Sequence, residues 1–333
     1  MVESTWRHAV VAGALCLGAA MQQVQGAQDA ASAYPTRPVR MIVPFAPGGA
    51  SDHVARIIQQ RMVELLGQQV VIENRAGAAG NIGVEVSARA NPDGYTFLLG
   101  NVGTMAINPN MFPAFPVKVL RDLAPVTQVV DVPGSLVAHP SLPVKTTKDL
   151  VAYLKANPGK LNYGTPGSGS ANRLETEMFQ IMTGTKMVHV PYKGGAGPAM
   201  TGLLAGEVQV AFVTFSSSLN FAKQNRIRML GVIAPERVPA MPDVPTMREQ
   251  GFPSMTVGSW QGVFVPKATP QPVVERLLAV SQETMKNADV VKRLGDAGIN
   301  VVLSESPAAF GKFWETENQR FGKVIKDANI QTE

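Results

Sequence analysis

The sequence predicts an α/β protein of two lobes. Each lobe is expected to be a mostly parallel sheet flanked by helices, and two crossing strands are expected to join them. Three observations carry this. Short apolar runs alternate with stretches of helical periodicity, the pattern of parallel strands linked by crossover helices. The alternation occurs twice, on either side of an apolar segment at 125–133 that has Pro at both ends. Helical segments then close the chain after the second set, as they would if it returned to the first lobe. At about 150 residues per domain, a chain of 333 residues also favours two units.

The elements follow in order. Val39 to Phe45 is a buried strand. Asp52 to Leu66 carries Val54, Ile57, Ile58, Met62 and Leu65 at helical spacing and stops at Gly67. Val70 to Glu73 is a strand, and Ile82 to Ala90 a helix stopped by the turn Asn91-Pro92-Asp93-Gly94. Tyr95 to Leu99 is a third strand. In the second set, strands fall at Ser135–Ala138, Leu161–Tyr163, Met187–Val190, Val208–Val213 and Arg228–Ile233. The helices between them fall at Thr147–Lys155, Asn172–Met182 and Pro198–Ala205, with a short one around Phe221. A Pro-rich stretch runs from Pro235 to Pro253, and helices follow at Pro272–Met285, Ala288–Leu294 and Pro307–Lys326. Crossings near Val126–Pro133 and Met255–Gly262 put 34–130 with 258–333 in lobe 1, and 131–257 in lobe 2. Two sequential lobes without a return remain open on pattern alone.

The first 33 residues are expected to be a signal peptide. Arg7 precedes an apolar run from Ala9 to Met21, the length of a secretory h-region and too short to span a bilayer. Ala31-Ser32-Ala33 is a small-residue cleavage site that leaves Tyr34 first; a cut after Gly26 is the alternative. Cys16, the single cysteine, departs with this segment, so disulfides play no part. Leu15 stands where a lipoprotein signal wants a small residue. Losing Arg7, Glu3 and Asp29 takes the net charge from +5 to +6. The basic residues are scattered, which excludes a nucleic-acid partner and leaves a weak bias toward anions.

Glycine and proline are abundant, 31 and 25 residues. Much of the glycine lies in four loops that each follow a strand and precede a helix: Ala46–Asp52, Arg75–Asn81, Thr165–Asn172 and Tyr192–Gly197. Ligands of open α/β sheets sit outside the carboxyl ends of the strands. Unpaired N–H groups at a helix start face that space, and the helix dipole favours an anion there. None of the loops is G-x-G-x-x-G, none carries Gly-Lys-Ser/Thr, and no serine sits in G-x-S-x-G. His53, His139 and His189 lie too far apart to suggest a metal site, and no cofactor is implied. Asp52 is the one candidate general base, though Asp at a helix start is more often an N-cap. Arg75 is the only arginine in the loops, so a bound carboxylate is expected to be held by neutral dipoles.

The motifs become specific when taken together. Pro44-Phe45-Ala46-Pro47-Gly48-Gly49 followed by Ser51-Asp52 resembles the opening of the Bug-type extracytoplasmic solute receptors, the substrate-binding proteins of tripartite tricarboxylate transporters. Glu73-Asn74-Arg75, Pro92-Asp93-Gly94-Tyr95-Thr96, Asn108-Pro109, Asn162 through Ser170, Val190 through Gly195, and Val265-Pro266 through Gly298 extend the likeness over nearly the whole chain after residue 33. The resemblance implies a two-lobed periplasmic-binding-protein fold, type II-like, with a discontinuous first lobe that closes with the second on a small carboxylate. It implies a periplasmic receptor, not an enzyme, that delivers its ligand to the membrane permease, with a monomer as the simplest state.

Carried over residue by residue, Phe45, Ala46, Gly48, Gly49, Ala50, Ser51 and Asp52 would hold one end of the ligand, partly through water, and Asn101 and Thr104 would line the same lobe. Ser168, Ser170 and Asn172 would approach from the second lobe beside Lys193 and Gly194. Where the family commonly has an acidic or amide pair, this chain has Thr214-Phe215-Ser216-Ser217. That departure removes a partner for an ammonium group and favours a dicarboxylate or an aromatic acid, with Phe215 as a wall. An exported enzyme using Asp52, or a sensor subunit of a signalling system, are the alternative readings.

Overall fold

The computed structural model describes residues 34–112, 114–167, 169–192, 195–253, 255, 258–327 and 330. The proposed signal peptide, Ser168, Lys193 and Gly194 lie outside the described residues.

Eleven strands form two sheets among the described residues. The first contains β1 (Val39–Val43), β2 (Val70–Asn74), β3 (Thr96–Asn101), β4 (Leu123–Val132), β10 (Ser259–Pro266) and β11 (Asn300–Val301), in the order β11-β4-β10-β3-β1-β2. The second contains β5 (Gly134–Ala138), β6 (Asn162–Thr165), β7 (Val188–Pro191), β8 (Val210–Thr214) and β9 (Arg228–Ile233), in the order β7-β6-β8-β5-β9. The main helices are α1 (Ala50–Leu66), α2 (Asn81–Ala88), α3 (Thr147–Ala156), α4 (Ala171–Thr183), α5 (Ala196–Leu204), α6 (Phe215–Lys223), α7 (Gln271–Lys286), α8 (Ala288–Asp296) and α9 (Pro307–Asp327).

Both sheets are mixed, where the alternation predicted mostly parallel ones. β1 is parallel to β2 and β3, and β6 to β7 and β8, because crossover helices link these strands. β10 runs antiparallel to β3 and β4, and β5 antiparallel to β8 and β9. The chain leaves the first sheet at Pro133, between β4 and β5, and β10 brings it back. No crossover helix constrains the direction of these connecting strands.

The helix α1 shows how the sequence pattern becomes packing. Val54, Ile57, Ile58, Met62 and Leu66 form one buried stripe, set against Val43, Phe97, Val263 and Val265 of the sheet. Gly67 ends the helix with φ +66° and donates its N–H to the Val63 carbonyl at 3.0 Å, a left-handed cap that glycine adopts without strain. Val273, Leu277 and Leu294 of α7 and α8 join that face. The opposite face packs Phe264 and Trp260 against Phe310, Trp314 and Phe321 of α9, with the Trp314 indole donating to the Met105 carbonyl at 2.8 Å. The C-terminal helices thus cover the first sheet. No helix of the described residues is long and apolar enough to cross a membrane.

Candidate functional site

A cavity of about 40 Å3 lies between the two lobes. Phe45, Gly49, Ala50, Ser51, Asn101, Gly103, Ser259 and Gln261 line it from the first lobe. Pro166, Ser170, Ala171, Asn172, Ala196 and Thr214 line it from the second. Four helices start at its wall. Ala50 and Ser51 open α1, Ala171 and Asn172 open α4, Ala196 opens α5, and Thr214 is the N-cap of α6. Each terminus favours an anion by about 0.3–1 kcal/mol when exposed and up to about 2 when partly buried. No lysine or arginine is among these lining residues. Arg75, the arginine of the second loop, pairs with Glu73.

The loops are held by their own side chains. Ser170 Oγ donates to the Gly167 carbonyl at 2.8 Å and accepts the Arg173 N–H at 3.2 Å, capping α4. Thr104 is fully buried; its N–H donates to Asn101 Oδ1 at 3.0 Å, so it orients Asn101 and does not face the cavity. Gly195 caps α5 at φ +107°, a backbone angle open to glycine and strained for other residues. A Cβ there would also crowd the Phe45 ring at 3.2 Å. The start of α5 faces the first lobe closely: a Cβ on Gly197 would lie 2.7 Å from the Pro47 carbonyl oxygen.

Asp52 has a structural role. It is not the N-cap of α1, a position held by Gly49; it sits at the third helical residue and reaches back. Its carboxylate accepts the Gly48 N–H at 3.0 Å, the Asn74 amide at 3.1 Å and Arg56 Nε at 3.0 Å. Burial alone would raise its pKa, but these bonds from Arg56, Gly48 and Asn74 outweigh it and hold the carboxyl below its ordinary value. Asp52→Ala is expected to lower stability by about 1–2 kcal/mol at neutral pH, by removing the carboxylate that ties the loop to the helix start. The loss should shrink as pH falls through the depressed pKa, because the protonated group no longer makes those bonds as an anion. Urea denaturation at pH 7 and pH 3 measures both; an equal loss at the two would refute the assignment.

Glu175 is wholly buried on α4, and its Oε2 accepts the Asn172 amide at 2.9 Å. Burial pushes its pKa up to about 8 against the opposing pull of that hydrogen bond. At neutral pH it is therefore an uncharged acid, and it puts no negative charge behind the cavity wall.

Of the residues expected from sequence, Phe45, Gly49, Ala50, Ser51, Asn101, Ser170, Asn172 and Thr214 meet at the cavity. Ala46 and Gly48 belong to the same loop but lie off its wall, as do Asp52 and Thr104. Phe215 points away, fully buried against Leu219, Val232 and Val238, because the first residue of α6 faces the core. Ser216 also lies off the wall. The aromatic surface at the cavity is Phe45. Behind it, a second cavity of about 280 Å3 is lined by Gly77 to Gly80 of the second glycine loop, with Phe112, Pro191 and Tyr192. Ser259 and Gln261 escaped the sequence reading. Their signal was polar side chains in an otherwise apolar run, two residues apart and so on one face of a strand.

Two α/β lobes with helix N-termini turned onto a cleft between them define a solute-binding protein of the periplasmic class. The profile of the tripartite tricarboxylate transporter family receptors matches residues 54–330, and the chain belongs to that family. The periplasmic binding protein BugD shares its fold with a TM-score of 0.86 at 33% identity, over 90% of this chain and 100% of its own. MatC from Rhodopseudomonas palustris, solved with bound malate, superposes with a TM-score of 0.83 at 32% identity, over 88% and 100%. An R. palustris protein solved with adipate gives 0.86 at 34% identity, over 90% and 99%. The relatives are receptors, not enzymes, and Asp52, committed to three donors, offers no free base.

Proposed function

We propose that this receptor captures a small organic carboxylate in the cleft, a dicarboxylate or aromatic acid in preference to an amino acid, and delivers it to the membrane permease of a tripartite transporter. In this reading residues 1–33 direct export, 34–130 and 258–333 form lobe 1, and 131–257 form lobe 2. The observation that carries it is the convergence of four helix N-termini on a cavity whose described lining has no charged side chain. A micromolar receptor needs about −8 kcal/mol. One dipole is far too weak for that, whereas several charge-assisted hydrogen bonds of roughly 1.5–3 kcal/mol each suffice after ordering losses. The malate and adipate held by the two relatives are acids of the proposed size and charge.

Phe45, Gly49, Ala50 and Ser51 hold the ligand from the first lobe with Asn101. Ser170, Asn172 and Thr214 complete the shell from the second, and Ser168, Lys193 and Gly194 keep their proposed contacts beside them. An ammonium ligand has no carboxylate to pair with among the described lining residues, which disfavours an amino acid. A thermal-shift screen against aliphatic diacids, aromatic acids and amino acids tests the reading. An acid at 100 times its Kd should stabilise the protein by about 2.7 kcal/mol. Stabilisation by amino acids alone would refute it.

A further inference from the structure

Gln261 sits in the floor of the cleft. It lies on β10 opposite Asn101 of β3, and Ser259 stands two residues away on the same face. The side chain is fully buried, yet neither its amide nitrogen nor its carbonyl oxygen has a hydrogen-bond partner. Buried polar groups of this kind are normally satisfied. A carboxamide needs both an acceptor for its N–H groups and a donor for its oxygen. An ionised carboxylate only accepts, so it satisfies the nitrogen and leaves the oxygen bare. An ammonium could donate to that oxygen, but it would be buried without a counter-ion: Asp52 is committed to Gly48, Asn74 and Arg56, and Glu175 to Asn172. A hydroxyl beside a carboxylate offers donor and acceptor together and adds no charge.

We propose that Gln261 is a specificity-determining residue that pairs with a hydroxyl on the bound acid, so that the receptor prefers a hydroxy-acid to its deoxy analogue. The inference rests on the carboxylate reading of the same cleft. Sites built to hydrogen-bond a ligand hydroxyl reject analogues lacking it, because the site's polar atom is then left unpaired. That effect corresponds to roughly 5- to 150-fold in affinity.

The experiment is titration calorimetry on the mature receptor with three pairs of probes: malate and succinate, 3-hydroxyadipate and adipate, 4-hydroxybenzoate and benzoate. The wild type should bind the hydroxylated member of at least one pair at least 5-fold more tightly. In Gln261→Leu that ratio should fall to about one, while the ligand-free variant unfolds at the same temperature or higher, since the leucine replaces an unpaired amide. Gln261→Met serves as a second apolar variant of similar length should the leucine fail to fold. Equal affinity within every pair, a ratio that survives in the variants, or destabilisation of both ligand-free variants would overturn the role of Gln261 alone. Binding of none of the six acids would overturn the carboxylate reading and this inference with it.

Discussion

Gly197→Ala and Gly197→Val are expected to weaken ligand binding by roughly 5- to 150-fold without destabilising the ligand-free receptor. Gly197 lies in the first turn of α5 with helical geometry, so an added Cβ is locally harmless. Alanine in place of glycine even favours a helix by up to about 1 kcal/mol. The obstacle is across the cleft. The new Cβ would stand 2.7 Å from the Pro47 carbonyl oxygen, a backbone atom of the β1–α1 loop that cannot rotate aside. Overpacking of this kind costs about 1–3 kcal/mol. The clash exists only while the lobes are together, and a ligand held by both lobes binds tightly only in that state. The penalty therefore falls on binding and not on folding. Calorimetric Kd and thermal unfolding of the ligand-free protein separate the two. Unchanged affinity with lowered stability would mean that Gly197 serves the fold of the second lobe and not the approach of the first.

Glu175→Gln is expected to stabilise the receptor by a few kcal/mol at pH 8 relative to wild type, with much less gain at pH 5. The buried carboxyl is pushed from an ordinary 4.5 to about 8 in the native state, mainly by burial. Between those values the unfolded chain has released the proton and the native chain has kept it. The native state then binds more protons, so wild-type stability falls as pH rises through that window and levels off above about 8. The slope is at most about 1.4 kcal/mol per pH unit. Glutamine does not titrate and retains an oxygen for the Asn172 amide, so the difference between the two proteins isolates this one group. Urea denaturation at pH 5, 6.5, 8 and 9 reads it directly. A difference that stays flat across that range would show that Glu175 is ionised in the folded protein.

Much of the architecture was legible because it depends on local chemistry. The apolar stripe of α1 and its Gly67 stop, the turn at Asn91–Gly94, and the glycine loops at strand ends each carry their signal within a few residues. The strand directions were less legible. β4 and β10 read as apolar runs like the others, and nothing local says that they lie antiparallel in the middle of one sheet. β11 is two residues long and leaves no periodicity to detect.

The site divides along the same line. Sequence by itself marked three of the four helix starts at the cavity, those of α1, α4 and α5, because a glycine turn is a property of a short segment; the Arg75–Asn81 loop lines the second cavity instead, and the start of α6 follows no glycine loop. Only the tertiary structure decided which side chains face the cleft. Phe215 and Thr214 are neighbours in sequence, yet one packs in the core and the other on the cavity wall. Asp52 looks like a free acid until Arg56, Gly48 and Asn74 are seen around it. Gln261 looks like one more strand residue until both ends of its amide are found buried and unmatched. Burial and pairing depend on atoms brought together from distant parts of the chain, and the chemistry of the cleft depends on them.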